Sequence, residues 1–193
     1  MKIAIIDYGA GNIQSIKFAI QRLGFEAVLS SNAEEIRNAD KVIFPGVGEA
    51  GSAMRMLRST GLDKLIPDLK QPVLGICLGM QLMCKSSEEG NTTGLGIFDA
   101  EVKKFNADLK VPQIGWNTIT ELQGKLFENV SAEEYVYLVH SFYVPECHDE
   151  IARTNYGVDY STALNRDNFY GVQFHPEKSS KTGEQILKNF LNL

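Results

Sequence analysis

Basic charge is in short supply in this chain. Its 19 lysines and arginines face 24 aspartates and glutamates, which leaves a net charge of −5 and a pI near 5.3. The cations are scattered, and pairs such as Lys103-Lys104 are too short to make a patch, so nucleic-acid binding is not expected. Long apolar runs are missing as well. The opening MKIAIIDYGAGN has only four consecutive apolar residues before Asp7, too few for a signal-peptide core or a membrane span. Three cysteines, Cys77, Cys84 and Cys147, form neither an even framework nor a C-x-x-C pair. Reduced thiols in the cytoplasm are the natural reading. Histidine is equally scarce, at His140, His148 and His175. His148 follows Cys147 in PECHDE without spaced ligands, so no metal is expected there. The glycines of GAG (9–11) lack the third member of a dinucleotide loop, so no nucleotide role follows from them.

What the chain does have is ordinary globular composition and a clear period. Its 193 residues, 44% hydrophobic and 22% charged, suffice for one well-buried core. KIAII (2–6) reads as a buried strand. Ile13, Ile16, Ile20 and Leu23 then recur at helical spacing until Gly24 stops the helix. EAVLS, KVIFPGVG (broken at Pro45) and QPVLGI read as further strands, each leading towards a helix. Such alternation predicts a parallel sheet with helices on both faces. The second half changes character, with candidate strands at 100–105, 114–121, 135–140, 150–156, 160–165 and 169–174 and no long helices between them. TGEQILKNFLNL closes the chain as an amphipathic helix. The expected fold is α/β: a single domain over 1–193, with a central, largely parallel sheet flanked by helices and an antiparallel β-rich extension.

The strongest chemistry lies in VLGICLGMQL (73–82). A buried strand runs into G-x-C-x-G (Gly75, Cys77, Gly79) and then a helix, the spacing of a nucleophile elbow with cysteine in place of serine. The glycines permit the sharp turn that lifts the sulfur from the sheet, and helix N–H groups would stabilise a thiolate there. Taken alone, the motif fits a buried cysteine beside helix-lining glycines equally well. Cys84, two helical turns on, reads as core. An acyl-transfer thiolate also needs a base and an orienter. In GVQFHPEKS (171–179), His175 follows an alternating strand, Pro176 restricts the backbone, and Glu177 would sit beside the imidazole as the acid of a triad. An isolated H-P-E would be a surface turn. A third element, VIFPGVG (42–48), brings a strand to a Pro-Gly-x-Gly turn, where the N–H of Val47, paired with that of Leu78, would form an oxyanion hole. Each element fills a different role in one mechanism, which makes the three together far more specific than any one.

Taken in the order PGVG, GICLGMQL and GVQFHPEKS, the chain resembles the class I (triad-type) glutamine amidotransferases along its whole length. DYGAGN, Met80 within CLGMQ, SEEG (87–90), PQIGWN (112–117) and EKS resemble one branch of that family. That branch supplies ammonia to a (β/α)₈-barrel cyclase making imidazole glycerol phosphate in histidine biosynthesis. The resemblance implies L-glutamine as substrate, a glutamyl thioester on Cys77, proton transfers by His175 and orientation of that ring by Glu177. It places Gln81 and Glu89 at the amino-acid end of glutamine, with backbone at Gly48, Ser141 and Phe142. It implies a heterodimer with the cyclase, and no cofactor, nucleic acid or membrane. The shortage of basic clusters agrees with a phosphorylated substrate held by the partner. Gln113, Phe142 and Cys84 depart from the commonest pattern of the relatives, which have histidine, tyrosine and an aromatic residue there.

Three positions suggest the partner face. Trp116, the only tryptophan, reads as an interface anchor or a core aromatic. Asn12 reads as a helix N-cap or a partner contact, the former on physical grounds. Gln113 sits where interface hydrogen bonding would differ. Rival functions remain. A glutaminase feeding another synthase would share the triad and differ only at partner-facing residues. A cysteine hydrolase or peptidase would lack glutamine contacts such as Gln81 and Glu89. A thiol sensor would have no use for His175 and Glu177.

Overall fold

Uninterrupted apolar residues build the inner strands of the computed structural model, which describes residues 1–9, 12–106 and 108–193. The N-terminal half supplies β1 (Ile3–Ile6), α1 (Ile13–Arg22), β2 (Ala27–Ser30), α2 (Ala33–Arg37) and β3 (Lys41–Gly46). After them come α3 (Ala50–Thr60), α4 (Leu62–Leu65), β4 (Val73–Cys77) and α5 (Leu78–Met83). The C-terminal half is mostly strand: β5 (Cys84–Ser87), β6 (Thr92–Thr93), β7 (Phe98–Lys104), β8 (Gln113–Thr118) and β9 (Tyr135–His140). It continues through β10 (Phe142–Tyr143), β11 (Glu150–Asn155), β12 (Asp159–Arg166) and β13 (Phe169–Val172) to α6 (Ser180–Leu191).

The main sheet has seven strands in the order β11-β12-β13-β4-β3-β1-β2. Pairing is parallel from β13 through β2, and antiparallel where β12 and β11 extend the edge. Strands β1, β3 and β4 are buried along their whole length, as expected where helices cover both faces of a parallel sheet. Alternate residues feed two separate cores. Ala4, Ile6, Val42 and Phe44 pack with α3, α4 and α5. Ile3, Ile5, Ile43, Leu74 and Ile76 pack with α1, α6 and the β8–β9 hairpin. Two small sheets, β10-β7-β5-β6 and β8-β9, complete the β-rich extension.

Every strand expected from pattern is present, but some elements left no pattern to read. β6 and β10 are two residues each, too short to show any period, and β5 is the polar CKSS. The short α2 depends on its cap: Asn32 Oδ1 accepts from the N–H of Glu34 and Glu35 at 2.9 and 3.1 Å. Pro45 does not break β3, which pairs with β4 through Pro45 and Gly46. Only one residue of the strand follows the proline, so little ladder is lost, and the Pro45 carbonyl accepts the buried Tyr8 hydroxyl at 3.0 Å. Tyr8 of the DYGAGN turn thus braces the end of β3. Ala10 and Gly11 of that turn lie outside the described residues.

The carboxyl ends of β3, β4 and β13 meet at one edge of the sheet, the usual place for a ligand in this architecture. Helix α5 packs on β3 backbone to backbone. A Cβ on Gly79 would overlap the Phe44 carbonyl oxygen, and one on Gly46 would lie 2.6 Å from the Gly79 nitrogen. No flexible side chain stands there to yield. Gly79→Ala should therefore lower stability by about 2 kcal/mol or more, read as a shift of the urea midpoint. An unchanged midpoint would mean that α5 lifts freely from β3.

Candidate active site

The turn from β4 into α5 takes place at a single residue. Cys77 has φ 53° and ψ −112°, a region that side chains other than glycine rarely enter. Holding it there costs on the order of 1–3 kcal/mol, and the close contact of α5 with β3 maintains it. The turn places Sγ at a cavity of about 370 Å³, which Val47, Gly48, Gln81, Glu89, Ser141, Phe142 and His175 also line. Sγ lies 3.8 Å from the Val139 carbonyl oxygen and 3.7 Å from Gln173 Nε2.

His175 approaches from β13, which lies beside β4, with Val172 opposite Ile76. Its backbone is extended, with φ −96° and ψ 96°. Pro176–Lys178 then form a short 3₁₀ turn, so Glu177 reaches the imidazole by a turn of the chain rather than along an extended strand. Glu177 Oε1 lies 2.9 Å from His175 Nδ1, and the carboxylate is fully buried. Its Oε2 has no hydrogen-bond partner among the described residues. Burial pulls the His175 pKa down, but hydrogen bonds and charge from Cys77 and Glu177 outweigh it and raise it to about 10. The ring is held as an imidazolium, the form that can protonate a leaving group.

Ser179 fixes this turn from behind. Its hydroxyl donates to the His175 carbonyl at 2.7 Å and accepts from the Tyr137 N–H at 2.9 Å, while the His175 N–H donates to the Tyr137 carbonyl at 2.9 Å. The imidazole is thereby tied to β9, the wall of the cavity. Neither Ser179 nor Gln173 was singled out by sequence pattern. Chain pattern holds no signal for them; their complete burial, Gln173 between Val172 and Phe174 and Ser179 after the turn, marks them as polar groups that must find partners.

The expected substrate contacts differ in what they can offer. Gln81 Nε2 donates to the Phe142 carbonyl at 2.9 Å and to Gln173 Oε1 at 2.8 Å, which leaves its own Oε1 for a ligand. Glu89 Oε2 accepts from the Ala50 N–H at 2.9 Å, which leaves Oε1. Burial is the main cause raising the Glu89 carboxyl above its ordinary range, opposed by that Ala50 bond. The Phe142 carbonyl already accepts from Gln81 and from His140 Nδ1 at 2.7 Å, so its oxygen is closed to a substrate. Leu78 is buried and does not line the cavity; only its backbone, directly after Cys77, is placed near it.

Other expected positions separate clearly. Trp116 is 52% exposed and packs edge-on against Tyr137 at 5.9 Å, so it is not a core residue. Ile114 and Tyr135 of the same hairpin are also exposed. Gln113, by contrast, is turned inward and accepts the Tyr160 hydroxyl at 3.0 Å; its side chain meets no surface. Asn12 stands at the N-cap position of α1 without a side-chain bond to the helix backbone, and accepts the Ser15 hydroxyl at 3.0 Å instead. Cys84 is buried, and burial above all pushes its thiol pKa up. Among the described residues no group of three His, Cys, Asp or Glu could hold a metal ion, and no helix is long and apolar enough to cross a membrane.

Comparison with known proteins bears on this geometry. The family described as glutamine amidotransferase class-I matches residues 4–193. A protein of Bacteroides thetaiotaomicron named imidazole glycerol phosphate synthase subunit HisH is 58% identical, and one of the same name from Yersinia pseudotuberculosis is 47% identical. Each alignment covers 100% of both chains. Among solved structures, a putative GMP synthase subunit from Thermoplasma acidophilum has a TM-score of 0.78 at 22% identity, covering 100% of this chain and 92% of that one. A chain of the PurLQS structure from Thermotoga maritima has a TM-score of 0.75 at 16% identity, covering 99% and 97%. At such identities the two structures show the shared fold alone.

The His175–Glu177 pair has a consequence for stability. The folded chain binds the His175 proton up to about pH 10, whereas an unfolded chain releases it near the ordinary value of 6.5. The stabilisation is therefore complete below about pH 6.5 and lost as pH rises through about 10. Urea midpoints should fall across that window. Glu177→Gln removes one of the two groups holding the proton and should make the fall smaller. Identical pH profiles for the two proteins would show that Glu177 does not hold it.

Proposed function

Because the chain belongs to the class-I glutamine amidotransferases, we propose that its cavity takes L-glutamine and that Cys77, His175 and Glu177 hydrolyse the side-chain amide. The enzyme acts as the glutaminase subunit of imidazole glycerol phosphate synthase, in histidine biosynthesis; its relatives are named as a subunit of that synthase. We take residues 1–193 as one amidotransferase domain working in the cytoplasm. The observation that carries the reading is the convergence of Cys77 and His175 on one cavity, with the imidazole fixed 2.9 Å from a buried carboxylate.

The chemistry runs in two halves. Cys77 Sγ attacks the amide carbon, and the oxygen of the tetrahedral intermediate takes up negative charge. The N–H groups of Val47 and Leu78 receive that charge; Gly48, with φ +98°, lets the Val47 turn present its backbone to the cavity. His175 protonates the departing nitrogen, ammonia leaves, and a glutamyl thioester remains. The now neutral imidazole takes a proton from water, which attacks the thioester and releases glutamate with Cys77 restored. Glu177 holds the ring in one tautomer and stabilises its charged form. The free oxygens of Gln81 and Glu89 suit the α-ammonium of glutamine, with backbone at Gly48 and Ser141 on its carboxylate side.

The ammonia is proposed to pass to a (β/α)₈-barrel cyclase. There it would react with a phosphorylated ribulosyl carboxamide, giving imidazole glycerol phosphate and an aminoimidazole carboxamide ribotide. The β8–β9 hairpin is the proposed docking face. Trp116, Ile114 and Tyr135 are large exposed apolar groups, and interface anchors are drawn from such aromatics. Lys178 lines the cavity and lies 5.9 Å from the centre of the Tyr137 ring, which links the active site to that face. Asn12, beyond the carboxyl end of β1, joins the same edge.

Cys77→Ala should abolish ammonia release from glutamine, by at least about a thousandfold, with an unchanged circular dichroism spectrum. Wild-type ammonia production by that variant would reject the assignment. The isolated chain should be a weak glutaminase that rises sharply when a barrel cyclase and its ligand are added, since uncoupled hydrolysis would waste glutamine. Full activity in the isolated chain would count against the coupling.

A further inference from the structure

We propose that Gln173 is a further catalytic residue: its side-chain N–H donates to Cys77 Sγ and holds the thiolate in place, and Gln81 fixes the direction of that donation. The proposal concerns the nucleophile and rests on the glutaminase reading only for its meaning in turnover. The carrying observation is a run of buried hydrogen bonds whose polarity is forced. A backbone carbonyl can only accept, so the Phe142 oxygen, 2.9 Å from the Gln81 amide, must face the nitrogen of that amide. The same nitrogen lies 2.8 Å from Gln173. Gln173 must therefore present its oxygen to Gln81, and its nitrogen is left 3.7 Å from Cys77 Sγ.

Neither glutamine can turn over without facing donor to donor or acceptor to acceptor. Gln81 is 5% exposed and Gln173 is fully buried, so an unmatched group there would carry its full desolvation penalty. His140 fixes the far end. Its Nδ1 also donates to the Phe142 carbonyl, and burial above all pulls its pKa down to about 4, so the ring stays neutral with one donor and one acceptor nitrogen. The other uncharged polar neighbour of the sulfur is the Val139 carbonyl. That oxygen suits a thiol but repels a thiolate. Gln173 thus supplies the neutral donor to the sulfur as it gains charge, beside the charged ring of His175. Because Gln81 also offers an oxygen to the cavity, a ligand that binds there polarises the amide pointing at the nucleophile.

The test uses iodoacetamide, a neutral reagent that reads the nucleophilicity of Cys77 without requiring glutamine to bind. The full-length chain is alkylated at neutral pH, and modification of Cys77 is followed by peptide mass spectrometry, separately from Cys147. Gln173→Glu keeps the shape and still accepts from Gln81, but puts an acceptor against the sulfur. Its Cys77 should alkylate about tenfold or more slowly, the size expected for losing one hydrogen bond to a charged group. Gln81→Leu should also slow the reaction, although Gln81 does not touch the sulfur, because Gln173 is then free to turn. A purely structural Gln173 would lower the unfolding midpoint and leave alkylation of the folded protein at the wild-type rate, and that result overturns the proposal. Should Gln173→Glu fail to fold, Gln173→Met carries the same comparison. The failures are distinguishable: wild-type protein that does not hydrolyse glutamine even with a barrel cyclase and its ligand present defeats the functional reading, whereas equal alkylation rates with that glutaminase activity intact defeat only the role of Gln173.

Discussion

A helix pressed against a strand with no side chains between them is the constraint on which this structure depends. Where α5 meets β3, Gly79 lies against the Phe44 carbonyl and Gly46 against Gly79 and Leu78. Neither glycine has room for a Cβ. Because α5 begins one residue after β4 ends, that contact fixes the turn at Cys77 and its unfavourable backbone angles. A looser helix would let Cys77 relax, and the sulfur would drop back towards the core it borders. Met80 shows the same economy on the other side, since a Cβ on Gly171 of β13 would overlap its side chain. The elbow is thus wedged between β3 and β13, the two strands that also deliver the Val47 turn and His175.

Burial gives the site its electrostatic character. Glu177 is fully buried, one of its oxygens faces His175, and the other has no partner among the described residues. With little else to answer it, the charge acts on the imidazole, and in a poorly solvated site such a pair is only weakly screened. The carboxylate and the sulfur together keep a proton on a ring that burial alone would strip. The histidines show the contrast. His140, similarly buried but facing a carbonyl and a tyrosine, is pulled down to about 4, whereas His175 is raised to about 10. Two imidazoles in the wall of one cavity thus differ in charge: burial keeps His140 neutral, whereas Cys77 and Glu177 outweigh burial at His175.

The hairpin β8–β9 joins this chemistry to the outside. Its inner side contributes Val136 and Leu138 to the core, and its outer side exposes Ile114, Trp116 and Tyr135. Through Tyr137 it is bonded to the His175–Ser179 turn. A partner bearing on the outer face would press on an element attached to the His175 turn. The geometry accordingly offers a short physical route from the outer face to the cavity, with Lys178 over the Tyr137 ring as part of it.

The sequence alone determined the parts of this protein written in local pattern. Unbroken apolar runs specified buried parallel strands, because a strand covered on both faces has no polar side. G-x-C-x-G before a helix supplied the glycines that a tight strand-to-helix turn requires, and H-P-E after a strand set a histidine and a glutamate two residues apart across a restricted backbone. Only the tertiary structure decided matters that depend on which segments meet. Pro45 reads as a break, yet β4 alongside carries β3 past it. Gln113 reads as a position where interface hydrogen bonding would differ, and its side chain faces Tyr160 in the interior, while Trp116, three residues later, faces out. Gln173 is unremarked in its own segment, and acquires meaning only because Gln81, some ninety residues earlier, sets the direction of its amide. The physical reason is common to all three. Period and turn chemistry act between neighbours in the chain, whereas burial, hydrogen-bond polarity and charge state arise between groups that only the folded backbone brings together.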